Sequence, residues 1–335
     1  MATLHDDAIV IDVHTHAVGF VPQPFRSAYR LINRTTMPPD EGFSVLRGAG
    51  VDAVVAKAVG DPVVTRWYRG GAWTAVDRQL ASVARQIEAA GGRLVRTPDE
   101  LAAARAGGHP AAILGVEGAD ALGTDPDLVD ARIGEWHSLG VRVVVLVHLG
   151  DNQFGTTCMP WQDYVGPLPT RRRRALGLSE LGRRAVRRMQ ELGIVVDVSH
   201  ADRGTTFDIV EQSTRPVIAS HSGARARGAF ARFLSDDEVR AVANTGGVVG
   251  LWPYNHRGRG VRDMADLIGH ASYIADLVGP DHLCIGTDMN GVPGLMAGYR
   301  GEVDLPRITD GLLTRFDEAE VRGILGANFL RVWAA

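Results

Sequence analysis

Two histidines stand one residue apart at the end of an apolar run near the start of the chain. The run IVIDVHTH, at 9–16, contains His14 and His16. Side chains alternate between the two faces of a strand, so both imidazoles would point the same way, about 7 Å apart along the backbone. That spacing suits two ligands of one metal ion. The alternative is that both histidines are solvated at a strand end.

Similar polar residues close several other apolar runs. Imidazole and carboxylate groups are the ligands that zinc and related ions prefer. If the fold gathers these residues beside the histidine pair, the sequence predicts a metal centre. The further candidate residues are Glu117, His148, His200, His221 and Asp288.

The mixture of acids and imidazoles indicates what such a centre could do. Two neighbouring ions repel each other, and a bridging carboxylate, here Glu117, reduces that repulsion. Such ions lower the pKa of water toward neutrality and supply a bridging hydroxide as the nucleophile. Asp288 would serve as general base and then general acid, and His148 would donate to an oxyanion. The residues therefore favour metal-assisted hydrolysis.

Positioning these residues requires a regular alternation of strands and helices. Amphipathic segments with helical spacing occur at 179–192, 235–245 and 264–279. Near-continuous apolar strands alternating with such helices predict a parallel sheet covered on both faces. Eight strands favour a closed (β/α)8 barrel, of the TIM type, over the alternative of an open doubly wound α/β sheet. The predicted strands lie at 8–16, 51–60, 111–120, 141–152, 193–200, 215–222, 246–252 and 282–291.

Five longer segments interrupt this alternation, and each follows the end of a predicted strand. Loops at the C-terminal ends of barrel strands build the rim of the active site. We therefore predict a single barrel domain over 1–335 whose rim carries the metal centre. The five segments are 17–40, 61–73, 150–176, 253–263 and 292–305.

Composition excludes several other classes of protein. With 335 residues, 45% hydrophobic and 22% charged, the chain is typical of a globular protein with a large core. A net charge of −3 gives no electrostatic reason to expect a nucleic acid or an anionic membrane as partner. The basic run RRRR at 171–174 is expected to be a solvated loop or helix edge. Lys57 is the lone lysine, so a Schiff-base or carboxylated-lysine mechanism has one candidate, placed in the middle of a predicted strand.

The number of cysteines and the lengths of the apolar runs indicate the cellular compartment of the protein. Only Cys158 and Cys284 are present, which argues against a disulfide framework and favours a reducing compartment. We find neither a signal-peptide pattern nor an apolar run of membrane-spanning length. The expectation is a cytoplasmic protein, and for a soluble enzyme of this size a homodimer is the commonest assembly.

Together these motifs resemble the membrane (renal) dipeptidase family of binuclear zinc peptidases, which have an amidohydrolase-like barrel. The resemblance extends over essentially the whole chain and includes the first strand with its histidine pair. Further stretches that carry it are GVEG (115–118), LVHLGDN (146–152), VIASHSGARA (217–226), IGTDMNGV (285–292) and ILGANFLRVW (324–333).

The resemblance implies how the candidates divide between two divalent ions, with zinc as the expected metal. His14, His16 and Glu117 would hold one ion. Glu117, His200 and His221 would hold the other. The same ligands also accept cobalt or manganese, so the native metal is left open.

The resemblance also implies how the substrate binds. His148 would contact the scissile carbonyl oxygen, Asp288 would shuttle the proton, and Arg232 would bind the C-terminal carboxylate of the substrate. A guanidinium fork suits a carboxylate because it can donate two parallel hydrogen bonds. Asn152 is a further substrate-binding candidate. The alternative for Arg232 is a surface arginine paired with Asp236 or Asp237.

The sequence departs from the family pattern at two positions. His16 stands where the family usually has aspartate, and Asn290 stands where aspartate is common. A neutral imidazole replaces an anion at position 16, so the first ion should be held less tightly or with a different preference. Whether one or two ions bind is therefore open. The change at 290 would alter the hydrogen bonding around the ligands.

Three functions follow from these observations. The first is a metal-dependent dipeptidase that cleaves small dipeptides and tolerates a D-residue at the C-terminal position. The second is a related amide, lactam or acyl-amino-acid hydrolase with a changed substrate. The third is a metal-binding protein without turnover, against which the presence of Asp288 and His148 argues, because neither is needed merely to hold a metal.

Overall fold

A computed structural model describes residues 3–21, 23–33, 37–165 and 177–335. The run RRRR at 171–174 and parts of the segments 17–40 and 150–176 lie outside the described residues. The strands are β1 (Ile11–Thr15), β2 (Ala53–Val59), β3 (Arg93–Leu94), β4 (Ala111–Glu117), β5 (Val141–Val145), β6 (Val195–Asp197), β7 (Ile218–Ser222), β8 (Val248–Leu251), β9 (Asn255–His256), β10 (Arg259–Gly260) and β11 (Leu283–Ile285).

Eight parallel strands close into a barrel in the order β2, β1, β11, β8, β7, β6, β5, β4. The closing pair is β2 with β4, in register from Ala53 opposite Ala111 to Val59 opposite Glu117. The predicted (β/α)8 barrel is thus confirmed. The open doubly wound alternative is wrong, because β2, at one end of the strand order, also pairs with β4 and thereby closes the sheet.

Helices surround the barrel and fill the connections between strands. None of the described helices is long and apolar enough to cross a membrane. The helices are α1 (Leu4–Asp7), α2 (Gln23–Asn33), α3 (Pro62–Thr65), α4 (Gly71–Ala89), α5 (Pro98–Ala106), α6 (Pro126–Leu139), α7 (Trp161–Val165), α8 (Glu180–Glu191), α9 (Arg203–Gln212), α10 (Asp236–Asn244), α11 (Met264–Val278), α12 (Leu305–Leu312), α13 (Glu318–Arg322) and α14 (Asn328–Ala334).

The three predicted amphipathic helices correspond to α8, α10 and α11. Ser179 caps α8 by accepting a hydrogen bond from the Gly182 amide. Ser235 and Glu238 form a capping box at the start of α10. Helix α6 ends at Gly140, whose φ of 106° lies in the left-handed region that glycine adopts without strain.

Each predicted strand contains an observed strand, but every observed strand is shorter. The last strand, for example, covers Leu283–Ile285 of the predicted 282–291. Of the polar residues at the C-terminal ends, His14, Glu117 and His221 remain in their strands, whereas His16, His148, His200 and Asp288 follow the ends of theirs. His200, Asp288 and Asn290 even adopt left-handed φ values of 68°, 56° and 68°.

The five segments that interrupt the predicted alternation contain more regular secondary structure than the sequence indicates. Segment 61–73 contains α3, which begins with an Asp61 cap and Pro62 at its first position. Segments 17–40 and 150–176 contain α2 and α7, and 253–263 contains the two-stranded sheet of β9 and β10. That the chain forms one domain over 1–335 stays a prediction.

The core has two faces because both sides of the barrel sheet are buried. In β2, Ala53 and Val55 pack with one apolar cluster, whereas Val54, Ala56 and Ala58 pack with the other. Lys57 shares the register of Ala53 and Val55, and its side chain crosses the barrel interior to β6 and β7. The interior of this barrel is thus polar beneath its mouth.

Candidate metal centre

Glu117 ends β4 and lies at the middle of the candidate centre. Its Oε1 atom is 3.2 Å from Nε2 of His200, 3.4 Å from Nε2 of His14 and 3.7 Å from Nε2 of His221. The His14 nitrogen comes from β1 and the His221 nitrogen from β7. These strands are far apart along the chain but close together in the closed barrel. Three imidazoles therefore converge on one carboxylate oxygen.

The second oxygen of Glu117 faces a different pair of histidines. Oε2 is 3.4 Å from Nε2 of His16 and 3.4 Å from Nε2 of His148. Asp288 completes this side, with Oδ1 3.3 Å from Nε2 of His16 and 3.8 Å from Nε2 of His14. The structure thus brings all seven predicted metal and catalytic residues together.

The spacing of these atoms fits ions of the zinc type. Ligand atoms bound tetrahedrally at about 2.0–2.1 Å lie roughly 3.3 Å from one another. The Nε2 atoms of His200 and His221 are 3.1 Å apart, and most contacts to Glu117 fall between 3.2 and 3.7 Å. Nε2 of His14 and Oε1 of Glu117 are buried without a hydrogen-bond partner. Buried polar atoms of this kind require a partner, and a cation satisfies both.

Hydrogen bonds on the far side of the rings fix which nitrogen faces the centre. Nδ1 of His16 is 2.9 Å from the carbonyl oxygen of Lys57. A carbonyl oxygen only accepts, so Nδ1 carries the proton and donates, and Nε2 is directed at the centre as a ligand atom. Asn290 holds the same stretch of backbone, because its Nδ2 donates to the His16 carbonyl at 2.7 Å.

Burial and neighbouring charges set the ionisation of the ligands. Burial lowers the pKa of His200 and of His221 well below the usual range, and the Arg232 guanidinium lowers both further. Burial alone would raise the pKa of Glu117, but the surrounding imidazoles, His148 and His14 foremost, hold it well below its usual value. His200 and His221 are therefore neutral and Glu117 is ionised, which are the forms that bind a metal.

The grouping of ligand atoms differs from the predicted division between two ions. Three sets of ligand atoms are close enough to share an ion, and His14 appears with His221 in one of them. The sequence-based division placed these two histidines on different ions. It stays a prediction. The three sets are His14, His16 and Asp288; His14, Glu117 and His221; and Glu117, His148 and His200.

His148 is held by a carboxylate that the sequence analysis did not single out. Oδ2 of Asp61 lies 2.5 Å from Nδ1 of His148, and both residues are buried. Burial lowers the pKa of His148, but the charges of Glu117 and Asp61 outweigh that effect, so the pKa is raised. Asp61 thus keeps Nδ1 protonated and orients Nε2 toward the centre.

Arg232 lies against the metal centre and not on the surface. It is 2% exposed, and its Nη2 is 2.6 Å from Nε2 of His221. The guanidinium also packs over the Trp252 ring at 5.0 Å. The alternative of a surface pair with Asp236 or Asp237 is wrong, because Asp237 pairs with Arg203 and Asp236 accepts a hydrogen bond from Tyr273. An ion at His221 would compete with Arg232 for the Nε2 lone pair.

The profile of the family described as membrane dipeptidase (peptidase family M19) matches residues 3–335. The chain belongs to the membrane dipeptidase family. The resemblance inferred from the strand ends is therefore confirmed.

Among curated proteins, this membrane dipeptidase family member is similar to fungal dipeptidases. It is 32% identical to an uncharacterized dipeptidase of Schizosaccharomyces pombe over 244 residues, which are 70% of this chain and 55% of that protein. It is 30% identical to dipeptidase tcpJ of Claviceps purpurea over 230 residues, 67% of this chain and 51% of that protein. The chain thus spans about half the length of the curated relatives it matches.

Solved structures of dipeptidases have the same fold. The probable dipeptidase PvdM of Pseudomonas aeruginosa is 20% identical, with a TM-score of 0.81 over 99% of this chain and 96% of that chain. A metallo peptidase of Rhodobacter sphaeroides, solved with a phosphinate mimic of the dipeptide L-Ala-D-Ala, is 22% identical, with a TM-score of 0.79 over 98% of this chain and 99% of that chain. At these identities the similarity establishes the fold.

In this membrane dipeptidase family member, Asn152 is placed differently from the other candidates. Its Nδ2 donates to Oδ2 of Asp120 at 3.0 Å and to the Leu146 carbonyl at 2.8 Å. Its Oδ1 accepts from the amides of Phe154 and Gly155. These contacts shape the loop after β5. Substrate binding by Asn152 stays a prediction, as do the roles of the other predicted residues.

Proposed function

We propose that this chain is a metallo-dipeptidase that hydrolyses dipeptides with a free C-terminal carboxylate, with two zinc ions as the expected cofactor. The observation that carries the proposal is the position of Arg232. Among the described residues, no carboxylate lies within ion-pair distance of this buried guanidinium. A buried charge without a counter-ion is costly, and a carboxylate of the substrate would supply a counter-ion beside the metal centre.

The ions would be held by the two strand-1 histidines, Glu117, His200 and His221. When bound, they supply Lewis-acid polarisation of the scissile carbonyl and acidify water. Whether two ions bind, and whether both are zinc, is part of the proposal. The imidazole at position 16 is compatible with a first ion, because His16 presents Nε2 toward Glu117 and Asp288.

The protein's own groups would orient the substrate and move the proton. Arg232 binds the C-terminal carboxylate and thereby places the peptide bond near Glu117. His148, held by Asp61, donates through Nε2 to the carbonyl oxygen as negative charge develops there. Asp288 takes the proton of the attacking water and returns it to the leaving amine. Burial of these groups excludes bulk water and strengthens each of these interactions.

The similar Rhodobacter sphaeroides structure supports the choice of substrate. That protein was solved with a mimic of L-Ala-D-Ala. We therefore include a D-residue at the C-terminal position among the substrates proposed here. The cytoplasmic location and the homodimer stay predictions.

The test is a substrate panel measured on metal-loaded protein of known metal content. It compares L-Ala-L-Ala and L-Ala-D-Ala with their C-terminal amides and their N-acetyl forms. The proposal expects hydrolysis of the free acids and much weaker hydrolysis of the amides, because the amide cannot pair with Arg232. The Arg232→Lys variant, which keeps the charge but loses the fork, should raise KM for the acids and leave the amides unaffected.

Other outcomes would replace this proposal. Hydrolysis of N-acetyl amino acids or lactams without hydrolysis of free dipeptides would establish the related amide hydrolase. A protein that binds ions and hydrolyses nothing in the panel would be the metal-binding protein without turnover. Equal rates for acids and amides would show that Arg232 does not recognise the carboxylate.

A further inference from the structure

The hydroxyl of Ser220 lies behind the metal centre, between histidines from two different strands. Its Oγ is 2.8 Å from Nδ1 of His14 and 2.9 Å from Nδ1 of His221. Lys57 Nζ and Ser199 Oγ each approach the same atom at 3.3 Å. Ser220 is fully buried, so no solvent competes for these contacts.

One hydroxyl cannot form hydrogen bonds with all four of these neighbours. A serine hydroxyl donates one hydrogen bond and accepts two. For His14 and His221 to present lone pairs at Nε2, both must carry their protons at Nδ1. Both N–H groups then donate to Ser220 Oγ and fill its two acceptor positions. The hydroxyl proton is left for Ser199, and Lys57 keeps Asp197 as its partner.

The ion pair of Lys57 and Asp197 holds this hydroxyl in place. Both side chains are buried in the barrel interior and in direct contact. Oδ1 of Asp197 also accepts the amide protons of Ser199 at 2.9 Å and Ser220 at 3.0 Å. Asp197 therefore fixes the backbone of both serines. Gly115 leaves room for the lysine, since a Cβ there would lie 2.8 Å from Lys57 Cγ.

We propose that Ser220 is a positioning residue shared by both halves of the metal centre. One hydroxyl sets the tautomer and ring orientation of His14 and of His221, so the ion held through His14 and the ion held through His221 are coupled. The inference rests on the metal centre of the proposed function and not on the choice of substrate.

The test measures ion binding by Ser220→Ala without any substrate. Metal-free protein is titrated with Zn²⁺ against a chromophoric chelator, and with Co²⁺ while the visible absorption spectrum is recorded. Loss of the shared acceptor should weaken both binding steps by about 10–100-fold, the usual cost of removing a group that orients a ligand. The Co²⁺ spectrum should change for both ions, because both histidines lose their orientation.

Ser222→Ala is the matched control. Ser222 lies on the same strand and is equally buried, but its hydroxyl donates to the Arg232 carbonyl at 3.0 Å and contacts no histidine in the described hydrogen bonds. Its ion affinities should stay within about twofold of the parent, since no ligand loses its orienting group. Circular dichroism and thermal melting of the metal-free forms verify that each variant is folded.

Ser199→Ala provides a second route if Ser220→Ala does not fold. It removes the acceptor of the Ser220 proton, so both ions should again bind more weakly, by a smaller factor. The proposal is overturned if a folded variant binds both ions as the parent does, if only one ion is weakened, or if the parent binds one ion. Because no substrate enters, a protein that binds two coupled ions but cleaves no dipeptide would contradict only the proposed function.

Discussion

At the scale of single residues, Asp288 is placed where it could serve either as a base or as a metal ligand. Its Oδ1 lies 3.3 Å from Nε2 of His16, and its backbone φ of 56° is in the left-handed region. A non-glycine residue in that region is strained and is retained where the surrounding structure imposes it. The surrounding structure therefore imposes the direction of this carboxylate.

Asp288→Asn separates these two roles. As a base, Asp288 contributes about 10²–10⁴-fold to the rate, so kcat should fall by that factor while the metal content stays unchanged. Elemental analysis and dipeptide kinetics on the same sample provide the measurement. Asp310→Asn, at an exposed aspartate, is the control and should match the parent. Loss of an ion from Asp288→Asn would instead make this carboxylate a ligand.

Asp61→Asn tests the partner of His148. Asp61 also caps α3 by accepting from the Val63 and Val64 amides, and asparagine caps equally well, so folding should be preserved. The variant loses one of the two carboxylate charges that raise the pKa of His148. We expect kcat to fall by up to about 10²–10³, the cost of losing one oxyanion donor, with KM little changed. A large rise in KM at constant kcat would contradict this role.

At the scale of elements, three neighbouring strands approach one another closely at Ser220. A Cβ at Gly250 of β8 would lie 1.7 Å from the Ser220 carbonyl oxygen, and one at Gly286, just after β11, would lie 1.8 Å from it. Only glycine permits this approach. The two glycines therefore allow the ends of β7, β8 and β11 to converge behind the metal centre.

Gly286→Ala should accordingly destabilise the barrel. The added methyl group meets backbone, which cannot rotate away, so the free energy of unfolding should fall by at least about 1–3 kcal/mol. Urea unfolding followed by circular dichroism measures the change. Gly150→Ala is the matched control, because nothing lies within 4 Å of a Cβ at that loop position. Equal stability of the two variants would show that the strands can separate without cost.

Much of the metal centre could be predicted because parallel barrel strands deliver their C-terminal residues to one rim. His14, Glu117 and His221 follow apolar runs directly and were found in this way. The roles of Asp61 and Ser220 could not be predicted, since they depend on distances between side chains of different strands. In the sequence, Asp61 has only the signal of a helix cap before Pro62.

At the scale of the whole molecule, the metal centre connects strands from both ends of the chain. Its candidate ligand atoms come from β1, β4 and β7 and from residues that follow β1, β5, β6 and β11. An ion that binds there stabilises the closed barrel over the unfolded chain, in which these residues are far apart. Folding and ion binding are therefore linked throughout the molecule.

Zinc should raise the melting temperature of metal-free protein. At a free concentration of about 100 times Kd, one site adds about 2.7 kcal/mol to the free energy of unfolding. Differential scanning calorimetry with and without a chelator measures the shift. Mg²⁺, which prefers oxygen ligands, should give a much smaller shift than Zn²⁺ at this nitrogen-rich centre. The same melting temperature with and without Zn²⁺ would argue against a structural link between ion and barrel.

Because Lys57 is buried, proteolytic cleavage at this residue reports unfolding of the chain. A lysine-specific endoprotease has one target in the sequence, and that target lies inside β2 with 1% exposure. Cleavage requires that β2 leave the sheet, so a brief protease pulse should cut only unfolded molecules. Each cut yields the two fragments 1–57 and 58–335, and the fraction of uncut chain gives the folded population directly on a gel.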